Sequence, residues 1–171
     1  GPVIAVDYSA KRRELAEVIG ADEIIDPSNT SPYESWKDIA KYDADGNLMP
    51  IEPFSGQSFR EGVIFECVGV PGVIDQIIAG APSKGRIVVV GVCMESDQIR
   101  PLAAVSKELN LQFVLGYRPE EFAETLHNIG EGKVDVGPLI TGKVGLGGVA
   151  QAFEDLADPE RHAKILVDPS L

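Results

Sequence analysis

The sequence predicts a fold of the α/β class, a doubly wound parallel sheet with helices on both faces, and three observations support it. Short, uninterrupted apolar runs recur along the chain and are typical of strands buried on both faces. Segments with helical apolar spacing separate these runs. The first strand, helix and strand fit into about 25 residues, which favours a right-handed crossover between parallel strands.

Composition and charge narrow the class of protein. The chain has 171 residues, 44% of them hydrophobic and 25% charged, which fits one ordinary domain with a real core and disfavours disorder. The net charge of −12 argues against nucleic acid as a partner, since the chain has no excess of Lys and Arg to release counterions. No apolar run has the length of a membrane span and no signal peptide opens the chain, so we expect a cytoplasmic protein without a membrane partner.

The first predicted strand, Val3–Val6, ends in an acid, Asp7. At the carboxyl edge of a parallel sheet, such an acid can accept hydrogen bonds from the vicinal hydroxyls of a ligand. The alternative is that Asp7 only caps the next helix, although Ser9 is placed to do so instead. That helix is predicted from Ala10 to Ile19, with Gly20 as its left-handed cap. Its buried side is predicted to consist of Leu15, Val18 and Ile19.

A second strand and a second helix follow before the chain loses its regular pattern. The strand is predicted at Glu23–Ile25 and the helix from Tyr33 or Glu34 to Lys41. The inner residues of this helix are predicted to be Trp36, Ile39 and Ala40. From Asp43 to Gln57 the chain is rich in Pro and Gly and is longer than a crossover needs, which predicts a surface excursion or hairpin.

Three more strands then alternate with helices. The strands are predicted at Gly62–Gly69, Gly85–Gly91 and Leu111–Gly116, and the helices at Pro71–Ala79 and Leu102–Leu109. Glycines at the ends of neighbouring strands leave little side-chain bulk at the upper edge of the sheet, which makes room for a flat ligand. The alternative is that these glycines only permit tight turns.

The remainder of the chain is predicted to form four further elements. A helix over Glu120–Ile129 is expected to turn Phe122, Leu126 and Ile129 inward. The others are a connecting strand at Val134–Ile140, a helix at Val149–Leu156 and a final strand at Lys164–Val167.

Four segments carry a resemblance to a known family. They read VIAVDYSAKRRELAEVIGADEIIDP, VIFECVGVPGVI, GRIVVVGV and HAKILVDP, in this order along the chain. The ordered set resembles the carboxyl-terminal half of a medium-chain dehydrogenase/reductase and is most similar to the zinc-dependent alcohol, polyol and threonine dehydrogenases. The resemblance covers nearly the whole chain except the excursion, and it implies a Rossmann-like parallel sheet.

This resemblance implies a cofactor and the residues that contact it. Asp7 would bind the adenosine ribose hydroxyls, which favours NAD because a carboxylate repels a 2′-phosphate. Arg12 would lie along the adenosine end, although Arg12 and Arg13 together leave NADP open. The other implied contacts are Val68 and Gly69 to a ribose, Val90, Gly91 and Val92 to the nicotinamide carboxamide, and Leu115 and Gly116 to the same group.

Two features of the resembling family have no counterpart in this sequence. The glycine-rich turn that receives the pyrophosphate and the catalytic zinc ligands lie upstream of the first matched strand in the family. Zinc is therefore implied only for a longer parent enzyme. Cys67 and Cys93 lack close Cys or His partners, so we expect two buried thiols, and we expect His162 to be solvated and not catalytic. The chain alone is expected to be an inactive fragment that lacks the central strand and binds NAD weakly or not at all.

The resemblance also implies a domain organisation and a reaction. Residues 1–117 would form a partial dinucleotide-binding domain, and residues 118–171 a segment that returns toward the catalytic domain. The implied reaction is hydride transfer between an alcohol and NAD, in a homo-oligomer paired through the Leu111–Leu115 edge strand. The alternatives are the NADP-dependent quinone reductase branch, a non-catalytic nucleotide-sensing or interaction module, and a methyltransferase, whose terminal hairpin is not evident here.

Overall fold

The computed structural model describes residues 2–42, 47 and 60–171. The predicted excursion between Asp43 and Gln57 lies outside the described residues apart from Asn47. In chain order the elements are β1 (Ile4–Val6), α1 (Ala10–Val18), β2 (Glu23–Ile25), α2 (Pro32–Ala40), β3 (Val63–Glu66), α3 (Val73–Gly80), β4 (Arg86–Val89), α4 (Pro101–Ser106), β5 (Asn110–Phe113), α5 (Pro119–Gly130), β6 (Gly142–Val144), α6 (Val149–Leu156) and β7 (Ile165–Val167).

The chain divides into two compact units. The first unit comprises Gly1–Pro32 with Arg118–Leu171, and the second comprises Tyr33–Tyr117. In the first unit β1 pairs with β2 in parallel, with α1 as the crossover between them. In the same unit β6 and β7 form a second parallel pair.

The second unit is built on a parallel sheet of strand order β3-β4-β5. Helix α3 packs on this sheet, and its Ile74, Ile77 and Ile78 join Ile87 and Val89 of β4 in the core. Ile78 and Ile87 are 1% and 0% exposed. The predicted alternation of parallel strands and helices, and hence the α/β class, is confirmed.

The prediction that every strand is buried on both faces was wrong for the outer strands. Val6 in β1 is 43% exposed and Phe65 in β3 is 63% exposed, whereas Val89 in β4 is only 4% exposed. Within the described residues β1 and β3 each have one neighbouring strand, while β4 has one on each side. An apolar run in the sequence therefore predicts a strand correctly without showing how much of it is covered.

Two predicted helical faces also differ from the structure. Val18 and Ile19, expected inside, are 65% and 50% exposed. In helix α5, Phe122 and Leu126 are 55% and 61% exposed, and Ile129 is half-buried. Helical spacing identifies an apolar stripe, but another element must cover the stripe before it is buried.

The connecting strand predicted at Val134–Ile140 is not formed, and a short 3₁₀ turn occupies Gly137–Leu139 instead. Pro138 lacks the N–H group that a strand ladder needs, which explains this difference. The next strand, β6, begins at Gly142. None of the helices within the described ranges has both the length and the apolarity that a membrane crossing requires.

Both cysteines were predicted to be buried, and neither is. Cys67 is exposed because it follows the inward-facing Glu66, and successive side chains of an extended chain alternate between faces. Cys93 is half-buried, and its Sγ lies 3.5 Å from the carbonyl oxygen of Glu95.

Candidate cofactor-binding site

Asp7 stands directly after β1, at the start of the turn that leads into α1. Its peptide N–H donates to the carbonyl of Ile25 at 3.3 Å, which continues the β1–β2 ladder up to this residue. The side chain is 35% exposed, and its Oδ1 accepts the N–H of Ser9 at 2.8 Å. Its Oδ2 takes no hydrogen bond from the described residues and lies 3.7 Å from Nη1 of Arg12. One carboxylate oxygen thus shapes the turn, and the other faces the guanidinium of Arg12.

The helix that follows is capped by other residues. The Oγ of Ser9 accepts the N–H of Arg12 at 3.1 Å, and this buried serine is only 3% exposed. The carboxylate of Glu160 accepts the N–H groups of Ala10 and Lys11 at 3.0 and 3.2 Å. Ser9 therefore takes the capping role, as predicted, and the alternative reading of Asp7 as the cap is wrong.

The two neighbouring arginines have different surroundings. Arg13 donates from Nη1 to the carbonyls of Asp7 and Tyr8 at 2.8 Å each, and its Nη2 lies 3.1 Å from Oδ2 of Asp26. Its side chain is 20% exposed, whereas that of Arg12 is 48% exposed. The N–H of Ser28 lowers the pKa of Asp26, and the charge of Arg13 adds to this effect. Arg13 is thus held by the protein, and Arg12 is the more exposed cation beside Asp7.

The other predicted contact residues lie in the second unit, at the carboxyl edge of its sheet. Val68 and Gly69 follow β3, the segment Val90–Val92 follows β4, and Leu115 and Gly116 follow β5. Because these strands are parallel, all three segments leave the sheet at the same edge. Leu115 is 93% exposed, and Gly116 has a left-handed φ of 64°.

Glu66 joins two of these segments and was missed in the sequence. Its Oε1 accepts the N–H groups of Val68 and Gly69 at 2.6 and 2.7 Å. Its main-chain carbonyl accepts those of Val90 and Gly91 at 2.8 and 2.9 Å. The residue is 2% exposed, and its Oε2 has no partner among the described residues. An acid within an apolar strand was the signal that could have identified it.

Gly69 and Gly91 allow the turn after β3 to pack closely against the turn after β4. Gly69 has a left-handed φ of 71°, and a Cβ there would lie 2.6 Å from the backbone nitrogen of Val92. A Cβ on Gly91 would collide with the backbone nitrogen of Gly69 and lie 2.6 Å from Oε2 of Glu66. Neighbouring protein atoms therefore occupy the space beside both glycines, so tight packing, rather than room for a flat ligand, explains why glycine is required.

The remaining candidates contribute no metal or catalytic group. The ring of His162 is half-buried, and its Nδ1 lies 3.1 Å from Oγ1 of Thr141, so it is not the freely solvated side chain that we expected. Residues 2–42, 47 and 60–171 contain no cluster of three or more His, Cys, Asp or Glu side chains that could hold a metal ion. Those residues do not fit a zinc site, and we assign no step to zinc in this chain.

Comparison with known proteins identifies the family. A family model described as "Zinc-binding dehydrogenase" matches residues 2–131. The chain belongs to the zinc-binding dehydrogenase family. Among curated relatives of this family, (R,R)-butanediol dehydrogenase of Bacillus subtilis is 30% identical over 169 residues, which cover 98% of this chain and 44% of that protein. Sorbitol dehydrogenase of Ovis aries is 30% identical over 152 residues, covering 89% of this chain and 38% of that protein.

A solved dehydrogenase structure also shares the fold. The crystal structure of 2R,3R-butanediol dehydrogenase from Bacillus subtilis superimposes with a TM-score of 0.74 at 29% identity, over 98% of this chain and 44% of that one. The chain thus spans less than half the length of the relatives that it matches. The resemblance to the carboxyl-terminal half of a medium-chain dehydrogenase is confirmed, and the methyltransferase alternative is excluded.

Proposed function

We propose that this chain is the NAD(H)-binding part of an enzyme that transfers a hydride between an alcohol and a nicotinamide cofactor. The bound cofactor would supply the hydride chemistry, and the residues of this chain would bind and orient it. Family membership supports the reaction class, and the names of the relatives, butanediol and sorbitol dehydrogenase, support a small alcohol or polyol as substrate.

The observation that carries the cofactor assignment is the Oδ2 oxygen of Asp7. This half-buried carboxylate directly follows β1, and its Oδ2 accepts no hydrogen bond from the described residues and lies 3.7 Å from Nη1 of Arg12. Such an oxygen can accept hydrogen bonds from the hydroxyls of a ribose. The second oxygen is held by the N–H of Ser9, so the carboxylate is already oriented before a ligand arrives. A pre-oriented side chain loses less entropy on binding.

We further propose NAD rather than NADP. Solved structures with the same fold differ in cofactor: a dehydrogenase from Escherichia coli, 22% identical, holds NADH, and one from Sinorhizobium meliloti, 25% identical, holds NADP. In this chain Asp7 would repel a 2′-phosphate, and Arg13 is bound to Asp26 and two carbonyls. Arg12 alone would face such a phosphate, only 3.7 Å from the opposing carboxylate.

At the nicotinamide end, Val68 and Gly69 are proposed to lie beside the ribose, and the backbone of Val90–Val92 and Leu115–Gly116 is proposed to contact the carboxamide. The N–H groups of Val90 and Gly91 are already bound by the carbonyl of Glu66. A hydrogen bond from this segment to the carboxamide would therefore use the N–H of Val92 or one of the carbonyls. The division of the chain at residue 117 into a cofactor domain and a returning segment belongs to the same proposal.

The test is the Asp7→Asn variant of the full-length enzyme, because asparagine keeps an acceptor for Ser9 and loses the carboxylate. We expect the Kd for NADH and for ADP-ribose to rise about 30-fold, since hydrogen bonds to charged groups contribute roughly 2 kcal/mol. Titration calorimetry measures both. Glu17→Gln, which removes an exposed acid from the following helix α1, is the matched control. An unchanged affinity in Asp7→Asn would contradict the assignment.

Three further expectations belong to this proposal. The 171-residue chain by itself should be inactive and bind NAD more weakly than micromolar, as calorimetry can show. The full-length protein should be a cytoplasmic dimer paired through the edge at Leu111–Leu115, where β5 has β4 as its one neighbour among the described residues. A monomer in sedimentation would contradict the dimer. A non-catalytic sensor would instead bind NAD without turnover.

A further inference from the structure

We propose that Glu66 is the positioning residue for the nicotinamide end of the cofactor site, an inference that rests on the proposed function above. Four of the predicted contact residues, Val68, Gly69, Val90 and Gly91, have their N–H groups bound by this one glutamate. Two of these bonds go to the side chain and two to the main-chain carbonyl. Glu66 therefore fixes the ends of β3 and β4 relative to each other.

The side chain does more than fill space in the core. Burying a carboxylate costs free energy unless hydrogen bonds compensate for it, and among the described residues the compensation comes from the turn at Val68–Gly69. The main-chain bonds to Val90 and Gly91 need no particular side chain, so the turn after β3 is the part that depends on glutamate. An apolar residue at position 66 would leave two N–H groups of this turn without their acceptor.

The packing at Gly91 explains why the position of this turn matters. A Cβ on Gly69 would meet the backbone of Val92, and a Cβ on Gly91 would meet the backbone of Gly69 and Oε2 of Glu66, so neither glycine has room for a side chain. A shift of the turn after β3 would therefore move the segment after β4 as well. Both segments are proposed to contact the nicotinamide half of the cofactor through their backbone, so a small displacement would weaken several contacts together.

A pair of probes separates this role from general stability. NADH carries the nicotinamide ring, whereas ADP-ribose lacks it and would be held mainly at Asp7. In the full-length enzyme we expect Glu66→Leu to raise the Kd for NADH at least tenfold and the Kd for ADP-ribose less than threefold, measured well below the unfolding temperature. Glu66→Gln, which keeps an oxygen for the two N–H groups, should restore most of the NADH affinity. Glu95→Leu makes the same substitution at an exposed glutamate three residues beyond Val92 and is the control.

The positioning role and the proposed function can fail separately in this experiment. Equal weakening of both probes in Glu66→Leu, or a Glu66→Gln variant as weak as Glu66→Leu, would overturn the positioning role. Unchanged NADH affinity in Glu66→Leu would overturn it as well. If the wild-type enzyme binds neither probe, the proposed function itself fails, and that result is distinct from a failure at Glu66.

A second measurement covers the case in which Glu66→Leu does not fold. Residue-resolved hydrogen exchange on the wild-type enzyme without cofactor should show slow exchange at the amides of Val68 and Gly69, although the Val68 side chain is 66% exposed. The amide of Val70, which has no hydrogen-bond acceptor among the described residues, is the internal comparison and should exchange at least 30-fold faster. Equally fast exchange at all three amides would overturn the proposal.

Discussion

The turn after β1 differs from the turns after β3 and β4 in the kind of group that is proposed to bind the cofactor: side chains at the first, backbone at the others. At the first turn the groups that matter are side chains: Asp7 faces Arg12 through Oδ2, Ser9 caps the helix and Arg13 holds the backbone carbonyls. At the other turns the proposed contacts to the cofactor come from the backbone, and the side chain that orders the turn after β3, Glu66, is buried.

This difference has consequences for mutation. A side chain that reaches a ligand can be replaced with little effect on folding, and the change then appears in binding alone. A turn built from backbone and glycine has no such side chain to replace, so mutation acts through the shape of the turn and alters stability and binding together. Four variants test this contrast.

Gly91→Ala should give the largest loss of stability. Its Cβ would collide with the backbone of Gly69 and lie 2.6 Å from Oε2 of Glu66, and neither turn has room to move without breaking hydrogen bonds. We expect a loss of about 3 kcal/mol, as for overpacked interiors, measured by urea unfolding. Gly130→Ala is the control, because a Cβ there has no atom within 4 Å. Equal stability of the two variants would show that the turns after β3 and β4 tolerate displacement.

Lys107→Met tests whether one side chain stabilises several carbonyl groups in the second unit, as Glu66 does for N–H groups. The Nζ of Lys107 donates to the carbonyls of Ile78 and Ala81 at 3.0 and 2.9 Å and also to that of Ala79, at the end of α3. Methionine keeps the apolar stem and removes the donor, so we expect a loss of about 1.5 kcal/mol in urea unfolding. Lys133→Met, which removes one 3.5 Å hydrogen bond on an exposed surface, should change stability far less.

Asp26→Asn tests whether the ion pair with Asp26 prevents Arg13 from binding the cofactor. Asparagine can still accept the N–H of Ser28 but no longer pairs as a charge with Arg13. We expect the Kd of the full-length enzyme for NADPH to fall about threefold while that for NADH stays constant, since an arginine near Asp7 can meet a 2′-phosphate. In the double variant Asp26→Asn/Arg13→Gln this gain should disappear. An equal change for both cofactors would argue against the idea.

Asp168→Asn should have the smallest effect, and that effect should depend on pH. A hydrogen bond from Lys143, supported by Ser170, lowers the pKa of Asp168 to about 2, from 3.8. The carboxyl group of Asp168 thus holds its proton more weakly in the folded state than in the unfolded state, so the stabilisation is fully present well above the unfolded pKa of 3.8 and is lost as pH falls through the folded pKa of about 2. The unfolding temperature of the variant should be lower than that of the wild type at pH 6, and the difference should shrink steadily toward pH 2. Glu154→Gln is the exposed control, expected to show no such pH dependence.

The local order of the elements followed from the sequence. The bounds of β2 and α6 and the cap of α1 at Ser9 were predicted correctly, because apolar periodicity and capping chemistry are local properties. Burial was predicted less well. Val18 and Phe122 belong to apolar stripes, yet both are exposed, because coverage depends on elements distant in sequence.

The candidate site divides in the same way. The position of Asp7 directly after a strand, and of Gly69 and Gly91 in the turns after two others, could be predicted from the sequence, since an acid or a glycine after an apolar run is a local signal, although the strands end one to three residues before these positions. The folded chain was needed to show that Arg13 is held by Asp26, that Glu160 caps α1, and that Glu66 orders the turns after β3 and β4. Hydrogen bonds between residues far apart in the chain leave no periodic pattern, so each residue could be read in the sequence while its partner could not.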